Sequence, residues 1–497
     1  MDFYNPSLGH QFINGQQVLG QGPKIPRVSP ATGEPLLDVD TASTEQVDQA
    51  MKAAAAAFTS WSALTPGERS DHLLAFAREL QLHADELAEV ETAQTGKSIR
   101  MSTEFDIPGT IDNVNFFAGA ARNLQGLAAG DYAGNTTSMI RREAIGVIGS
   151  ISPWNYPLQM AAWKVLPAIA AGNTIVLKPS ELTPGTSMLF AKAASDAGLP
   201  DGVINVVSGD GPVVGTTLVR HPLVKMTSFT GSTPVGLKIM SMAAERGNRV
   251  HLELGGKAPF VVFNDADIEA AAHGAVAGST INSGQDCTAA TRAYVHFSVF
   301  EKFTNRVAQL MDAMVVGDPA DPQTDMGSLI SKAHLEKVSA MVDRARQDGA
   351  RVLAGGRREQ RAGFYYRPTL IVGAAQDSEI VQNEVFGPVL VALPFETDDQ
   401  AIELANDTPY GLAASAWTKN VDRAMRASAQ IQAGCVWINE HILIVSDMPH
   451  GGYKASGMGK DMSQYSFDEY TNVKHVMISH DPQPHRQWQD TVFKQRP

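Results

Sequence analysis

Cysteine is nearly absent from this chain, whose 497 residues contain only Cys287 and Cys435. The two lie far apart, with no CxxC pair and no Cys/His spacing around them. That excludes a disulfide framework and a cysteine-based zinc site, and it fits a reducing compartment. Blocks of five or six basic residues are missing too, and the formal net charge is −13. A nucleic-acid or anionic-membrane partner therefore has no footprint here. No apolar stretch approaches the roughly 18 residues of a membrane span. The opening MDFYNPSLGHQF has neither the basic end nor the apolar run of a secretory signal, so the chain is expected to be cytoplasmic. Internal repeats, low-complexity tracts and long Pro/Ser linkers are also lacking, which argues against solenoids and strings of independent modules.

What is present suits a large globular chain. It is 43% hydrophobic and 19% charged, and a length prior of roughly 150 residues per domain suggests about three domains. From Ala144 onward, short β-branched runs alternate with helical stretches: AIGVIGSISP, helical spacing over 158–171, NTIVLKPS, a helix over 185–197, VINVVSG, a helix after Gly211, VKMTSFTGS, a helix after Pro234, and RVHLELGG. Five strands joined by helices predict a mostly parallel, doubly wound sheet. Asn155, Lys178, Gly211, Gly231 and Glu253 then fall near the carboxyl ends of strands, where open α/β sheets bind ligands. A second α/β block is expected from about Gly255, with a helix over 267–283, a loop carrying Cys287, the strand RAYVHF and an amphipathic helix over 299–314. Residues 44–126 read as mainly helical. DYAGNTTSMIRR and the tail after Asp461 read as extended pieces without a core, the tail closing on a frayed charged end.

Chemistry concentrates in a few segments. Cys287 lies in INSGQDCTAATR, where small polar neighbours leave its sulfur room to react, whereas Cys435 in AGCVWIN suits apolar packing. Only a thiolate attacks carbonyl carbon well, so a base is required. Glu253 in HLELGGK is the candidate, at a strand end whose paired glycines allow close backbone approach. Asn155 in SPWNYP offers an amide donor for a developing oxyanion. Lys178, Pro179, Ser180 and Glu181 follow an apolar strand and can hold ribose hydroxyls. GDGPVVG and TGSTPVG put glycine at strand-to-helix turns, where N–H groups and the helix dipole face a phosphate. Taken singly, each has an ordinary structural reading: packing for the thiol, a cap or surface group for Glu253, an Asx turn for Asn155, and solvated or steric turns for the rest.

Together, the order and spacing of SPWNYP, KPSE, FTGSTPVG, ELGGK, GQDCTA, EVFGPV and GGYKASGMGKD resemble the aldehyde dehydrogenase superfamily over nearly the whole chain. Within it, FFAGAARNLQGLAAGDY, TSMIRR, VSDMPHGGYK and GKDMSQY are most similar to the gamma-aminobutyraldehyde dehydrogenases, close to betaine-aldehyde and other aminoaldehyde enzymes. The resemblance implies an α/β protein with a Rossmann-like NAD-binding domain (1–123 and 147–253), an α/β catalytic domain (254–453) and a small oligomerisation element (124–146 and 454–497) in a homotetramer or dimer. It implies that Cys287 attacks the aldehyde, that Asn155 and the Cys287 N–H hold the alkoxide, and that Glu253 activates the water that hydrolyses the thioester.

For NAD it implies Lys178, Ser180 and Glu181 at the adenosine ribose, with Glu181 disfavouring a 2′-phosphate. Ile151, Trp154, Gly211, Gly215, Phe229, Thr230, Gly231, Ser232, Val235, Leu254 and Gly255 follow along the cofactor, and Glu384 and Phe386 stand at the nicotinamide ribose. For a small aldehyde carrying an amine it implies Asp106, Tyr156, Trp163 and His450, with Asp106 also suited to capping the helix near Pro108. Lys164 and Glu469 match a proton path from Glu253. Ile281 and His450 stand where betaine-aldehyde enzymes carry tryptophans, which favours 4-aminobutanal. The rival readings are a betaine-aldehyde or broad-specificity enzyme, a non-redox cysteine hydrolase, and a catalytically silent scaffold.

Overall fold

The computed structural model describes residues 9–124, 126, 128–480 and 485–494. The frayed charged end expected of the tail after Asp461 falls partly outside them. Two parallel-rich sheets and one small antiparallel sheet organise the chain. In the first sheet the strands Arg249–Glu253, Val224–Thr230, Val147–Ile151, Thr174–Lys178 and Ile204–Val207 run parallel in that order. Three of them, Val147–Ile151, Thr174–Lys178 and Ile204–Val207, are buried along nearly their whole length, which is why they read as unbroken apolar runs. Helices cover both faces. Pro157–Ala170 is buried at every position, and Thr44–Ala63 and Pro66–Leu82 begin with capping boxes, Ser43 with Gln46 and Thr65 with Glu68.

The edges of this sheet differ from expectation. Gln11–Ile13 and Gln16–Val18 form an antiparallel hairpin beyond Ile204–Val207. At the other edge Gly457–Met458 pairs antiparallel with Arg249–Glu253. The short helix Ser463–Glu469 packs on the helices Ile107–Ala121 and Pro157–Ala170. Residues 454–470 therefore lie in space with the first sheet, away from the rest of the small element expected at 124–146 and 454–497. That element is the sheet of Thr471–Ser479, Thr136–Ala144 and Gly130–Ala133, in which Thr471–Ser479 pairs along its full length with Thr136–Ala144.

The second sheet orders Arg351–Ala354, Thr369–Val372, Val389–Phe395, Ala290–His296, Ala258–Val262, Ala413–Trp417 and Cys435–Ile438, all parallel except the first pair. Ile268–Thr280 and Phe300–Ala313 form the two helices expected around the Cys287 loop. The chain crosses from the first sheet to the second through the glycine pair after Glu253. A Cβ on Gly256 would sit 2.1 Å from the Cys287 carbonyl oxygen, and one on Gly255 would sit 2.7 Å from Glu384 Oε2. Only glycine allows three segments to meet there.

Candidate active site

The Cys287 loop is folded by its own backbone and by one asparagine. Asn282, Ser283 and Gly284 take φ of 47°, 57° and 69° in succession. A Cβ on Gly284 would lie 2.2 Å from the Gly387 carbonyl. Asn282 donates to the carbonyls of Asn155 (2.8 Å) and Gln285 (3.2 Å). Asn155 donates its own amide to the Gln285 carbonyl at 3.0 Å, so the candidate oxyanion donor is tied to the loop that carries the candidate nucleophile. Asn155 Oδ1 has no hydrogen-bond partner.

A cavity of about 220 Å³ runs past Cys287. On one side its walls are Phe105, Tyr156, Gln159, Met160, Trp163, Ile444 and His450. On the other they are Trp154, Thr230, Gly231, Ser232, Leu254, Gly255, His334, Lys337, Glu384 and Phe386. The thiol thus stands between an aromatic pocket and a groove at the strand ends. Cys287 is half-buried, and the desolvation of its sulfur, together with the carboxylates of Asp286, Glu384 and Glu253, pushes its pKa well above that of an ordinary thiol. Glu253 stands behind the wall, 4% exposed, with neither carboxylate oxygen hydrogen-bonded. Burial first, and the charge of Asp461 second, push its pKa well up; His251, Lys164 and Lys460 pull the other way.

Two wall residues carry polar links. Tyr156 donates its hydroxyl to Asp286 Oδ2 at 2.6 Å, and Trp163 donates its indole N–H to Asn113 Oδ1 at 2.6 Å. The His450 ring lies 5.2 Å from Trp163, and burial lowers its pKa, so it is a neutral wall at neutral pH. Asp106 does not reach the cavity. It is fully buried in a π-helical turn, Ser102–Asp106, where it accepts from Lys97 Nζ at 2.5 Å. It makes no cap hydrogen bond to the helix that follows. Both expected roles of Asp106 are therefore replaced by a buried ion pair, and Phe105 is the wall residue. Ile281 also lies off this cavity, lining a neighbouring open cleft instead. Besides Glu384 on the strand-end side, the carboxylate that lines the cavity is Asp286, inside GQDCTA.

The strand-end side divides likewise. The helix Thr233–Ala244 starts at Ser232 without a side-chain cap, leaving its first N–H groups open. The turn at Gly211 does not, because Asp210 Oδ1 accepts from Val213 N at 2.9 Å. Of the two glycine turns, only the second keeps a helix N-terminus open to an anion. Lys178 is nearly buried, its Nζ 2.9 Å from the Pro179 carbonyl and 3.5 Å from Glu181 Oε2, and a Cβ on Gly215 would meet its side chain at 3.7 Å, an ordinary contact. Ser180, Ile151, Phe229 and Val235 surround this surface without lining the cavity beside Cys287. Glu384 accepts from the Gly256 N–H at 2.9 Å. Phe386, at φ 59°, packs edge-on against Trp154, and its carbonyl accepts from the His334 ring at 2.6 Å.

This thiol, amide, buried carboxylate and strand-end groove lie within residues 18–476, which match the model of the aldehyde dehydrogenase family. The chain belongs to the aldehyde dehydrogenase family. It is 39% identical over 478 residues to the betaine aldehyde dehydrogenase of Mesorhizobium japonicum, covering 95% of this chain and 97% of that protein. With 4-trimethylaminobutyraldehyde dehydrogenase B of Danio rerio it shares 40% identity over 459 residues, covering 91% and 88%. The NAD+ complex of an aldehyde dehydrogenase from Bacillus cereus superimposes with a TM-score of 0.93 at 38% identity, covering 95% of this chain and 96% of that one.

Sequence reasoning missed several residues of this dehydrogenase site. His334 and Lys337 come from the helix Lys332–Gln347, which carries no motif. Asp461 accepts from Lys164 at 3.0 and 2.8 Å and lies 3.0 Å from His251 Nε2, while His251 Nδ1 lies 2.8 Å from Glu469. Lys164 and Glu469 therefore share a cluster through Asp461 and His251 rather than by touching. Alternation along RVHLE puts His251 on the Glu253 face, a signal that was present in the sequence.

Proposed function

We propose that the protein oxidises an aminoaldehyde, 4-aminobutanal in preference, to the acid with NAD+, through a thiohemiacetal and a thioester on Cys287. The observation that carries the substrate class is Asp286: a carboxylate beside the nucleophile, in a cavity whose other walls on that side are mostly aromatic and apolar. Its oxygens accept from Tyr156 OH, Thr288 N and Thr288 Oγ1. A carboxylate has about four acceptor sites, so one remains for an ammonium group. Phe105, Tyr156 and Trp163 favour a cation as well.

The cofactor reading rests on fit. The uncapped helix start at Ser232 suits a pyrophosphate, and Lys178 and Glu181 suit an adenosine ribose. The Glu181 carboxylate favours ribose hydroxyls over a 2′-phosphate. Glu384 and Phe386 would hold the nicotinamide ribose beside Cys287. NAD+ bound there supplies the hydride acceptor.

The chain's own residues do the rest. Cys287 gives up its proton to water, its sulfur bonds to the carbonyl carbon, and the C=O π pair moves onto the oxygen. Asn155 Nδ2 and the Cys287 N–H stabilise the alkoxide. Once the thioester has formed, Glu253 draws a proton from water, a C–O bond forms, the C–S bond breaks, and the acid leaves. Glu253 is suited to this because it offers two unshared oxygens and because its cationic neighbours offset part of the burial that raises its pKa. Self-association is part of the proposal: the small sheet bares Tyr132, Val473, Met477 and Ile478, a set suited to a second copy. Light scattering in solution reads it directly.

The names of the relatives support betaine aldehyde as a second reading, and one experiment separates the two. kcat/KM is measured for 4-aminobutanal, 3-aminopropanal, betaine aldehyde and butanal. The primary amines are expected to lead. A lead for betaine aldehyde selects the second reading, and a lead for butanal overturns both. Loss of NADH formation in Cys287→Ala is required in every case.

A further inference from the structure

Three buried charges surround the candidate base without belonging to the cavity. His251 stands two residues before Glu253 on one face of the strand Arg249–Glu253. Its Nε2 lies 3.0 Å from Asp461 Oδ1, and its Nδ1 lies 2.8 Å from Glu469 Oε2. Asp461 also holds Lys164 Nζ at 2.8 Å. The side chains of His251, Asp461 and Lys164 are wholly buried, and that of Glu469 is 34% exposed. Polar atoms of His251, Glu253 and Asp461 all lie within 4.8 Å of one another. Glycine keeps the cluster open: a Cβ on Gly459 would meet His251 Nδ1 at 2.6 Å and Glu469 at 2.8 Å, and one on Gly451 would meet Glu253 Oε1 at 2.4 Å.

A metal ion is a poor occupant of this group. Lys164 already takes both oxygens of Asp461, and a histidine must be neutral to ligate. The arrangement makes better sense as a charge balance. Two carboxylates this close in a low-dielectric site cannot both stay ionised unless cations stand among them. Lys164 faces the cluster from the helix Pro157–Ala170, Lys460 from the tail loop, Cys287 from its own loop and the Tyr470 ring from the tail; His251 is the cation that touches both Asp461 and Glu469.

We infer that His251 is a positioning residue for the general base: its imidazolium, clamped between Asp461 and Glu469, offsets the second carboxylate and holds Glu253 as the anion that takes a proton from water. This rests on the reading of Glu253 given above. The pair of carboxylates keeps the imidazole protonated to about pH 9 against the cost of burial, so the charge is present at neutral pH. No proton need cross the ring. Its charge lowers the pH at which Glu253 becomes a base.

The test uses the full-length enzyme with NAD+ and aldehyde, following both the first-turnover burst of NADH and the steady state across pH. Glu253→Gln is the reference, expected to keep a burst and lose the steady state. A Glu253→Gln enzyme with a normal steady state overturns the base assignment itself. His251→Asn is expected to show a burst at neutral pH, a steady state roughly tenfold slower, and recovery as pH rises, the fold-change of an alkaline shift of about one unit. Glu469→Gln, at the half-exposed end, weakens the clamp without emptying the core and should give a smaller shift in the same direction. If Glu253→Gln behaves as the reference requires but both other variants keep the wild-type pH profile, the inference is wrong, whatever their absolute rates. A purely structural histidine would lower activity and stability at all pH values together.

Discussion

Asp286→Asn is the sharpest perturbation this site offers, because it changes one charge and almost no shape. Asparagine keeps an acceptor for Thr288 and a partner for the Tyr156 hydroxyl, the contacts that Asp286 makes at 2.6–2.7 Å. What disappears is the negative charge facing the cavity. A hydrogen bond from an ammonium to a carboxylate contributes about 1.5–3 kcal/mol, which at about 1.4 kcal/mol per factor of ten is roughly a 10- to 150-fold loss in kcat/KM for 4-aminobutanal. The opposite sign is expected for butanal. Asp286 is the largest charge among the causes that push the Cys287 thiol up, so removing it eases thiolate formation. kcat/KM for butanal at neutral pH should then hold or rise. NADH formation with both aldehydes, measured side by side, gives the ratio free of any change in active fraction. A parallel fall for both substrates would refute the assignment of Asp286 to the amine.

The remaining predictions concern the oxyanion, the buried pair and pH. Asn155→Ala is expected to lower the acylation rate by about 10²–10³ with a smaller change in KM, and an unchanged burst rate would contradict it. Lys97→Met leaves Asp106 and Glu91 without their cation in a site of zero exposure, and should cost about 3–5 kcal/mol in denaturant unfolding. Asp106→Asn, by contrast, should leave the 4-aminobutanal to butanal ratio where it is. Cys287 and Glu253 both have pKa values raised by burial, and both act in the deprotonated form. Each passes from inactive to active as pH rises, so kcat/KM and kcat should increase from neutral toward mildly alkaline pH, and a maximum on the acid side would contradict the burial argument.

How much of this was legible depended on whether a residue's partners lie near it in sequence. The central strands were readable because burial on both faces writes them as apolar runs. Gln11–Ile13 and Gln16–Val18 were not, since three-residue edge strands with glutamines carry no periodic signal. Cys287, Glu253 and Asn155 could be picked out because their motifs combine a reactive group with glycine or proline. Asp106 was misread because its partner, Lys97, is set by a helix turn that widens by one residue, and nothing in a carboxylate's own sequence says whether it faces a cavity or a buried ammonium. Asp286 was overlooked for the converse reason. It sits in a quoted motif beside the nucleophile, yet its orientation depends on the Asn282–Gly284 backbone, which no pattern encodes.

The three carboxylates around the thiol are held in different ways. Glu253, Asp286 and Glu384 all raise the Cys287 pKa, so the resting site opposes its own nucleophile. Such an arrangement persists only if each carboxylate is tied down by something other than the cysteine. Asp286 is held by Tyr156 and Thr288, Glu384 by the Gly256 N–H, and Glu253 by no hydrogen bond at all. The one carboxylate without a partner is therefore the one free to bind a proton, and the cations behind it decide at what pH it does so. The Lys97–Asp106 pair lies one layer further out, with the Lys97 ammonium 4.2 Å above the Tyr156 ring. It holds positive charge against the back of a wall residue whose hydroxyl supports Asp286. On the proposed reading, selectivity for a cation rests on the carboxylate in front of the tyrosine, and an ion pair stands behind that ring.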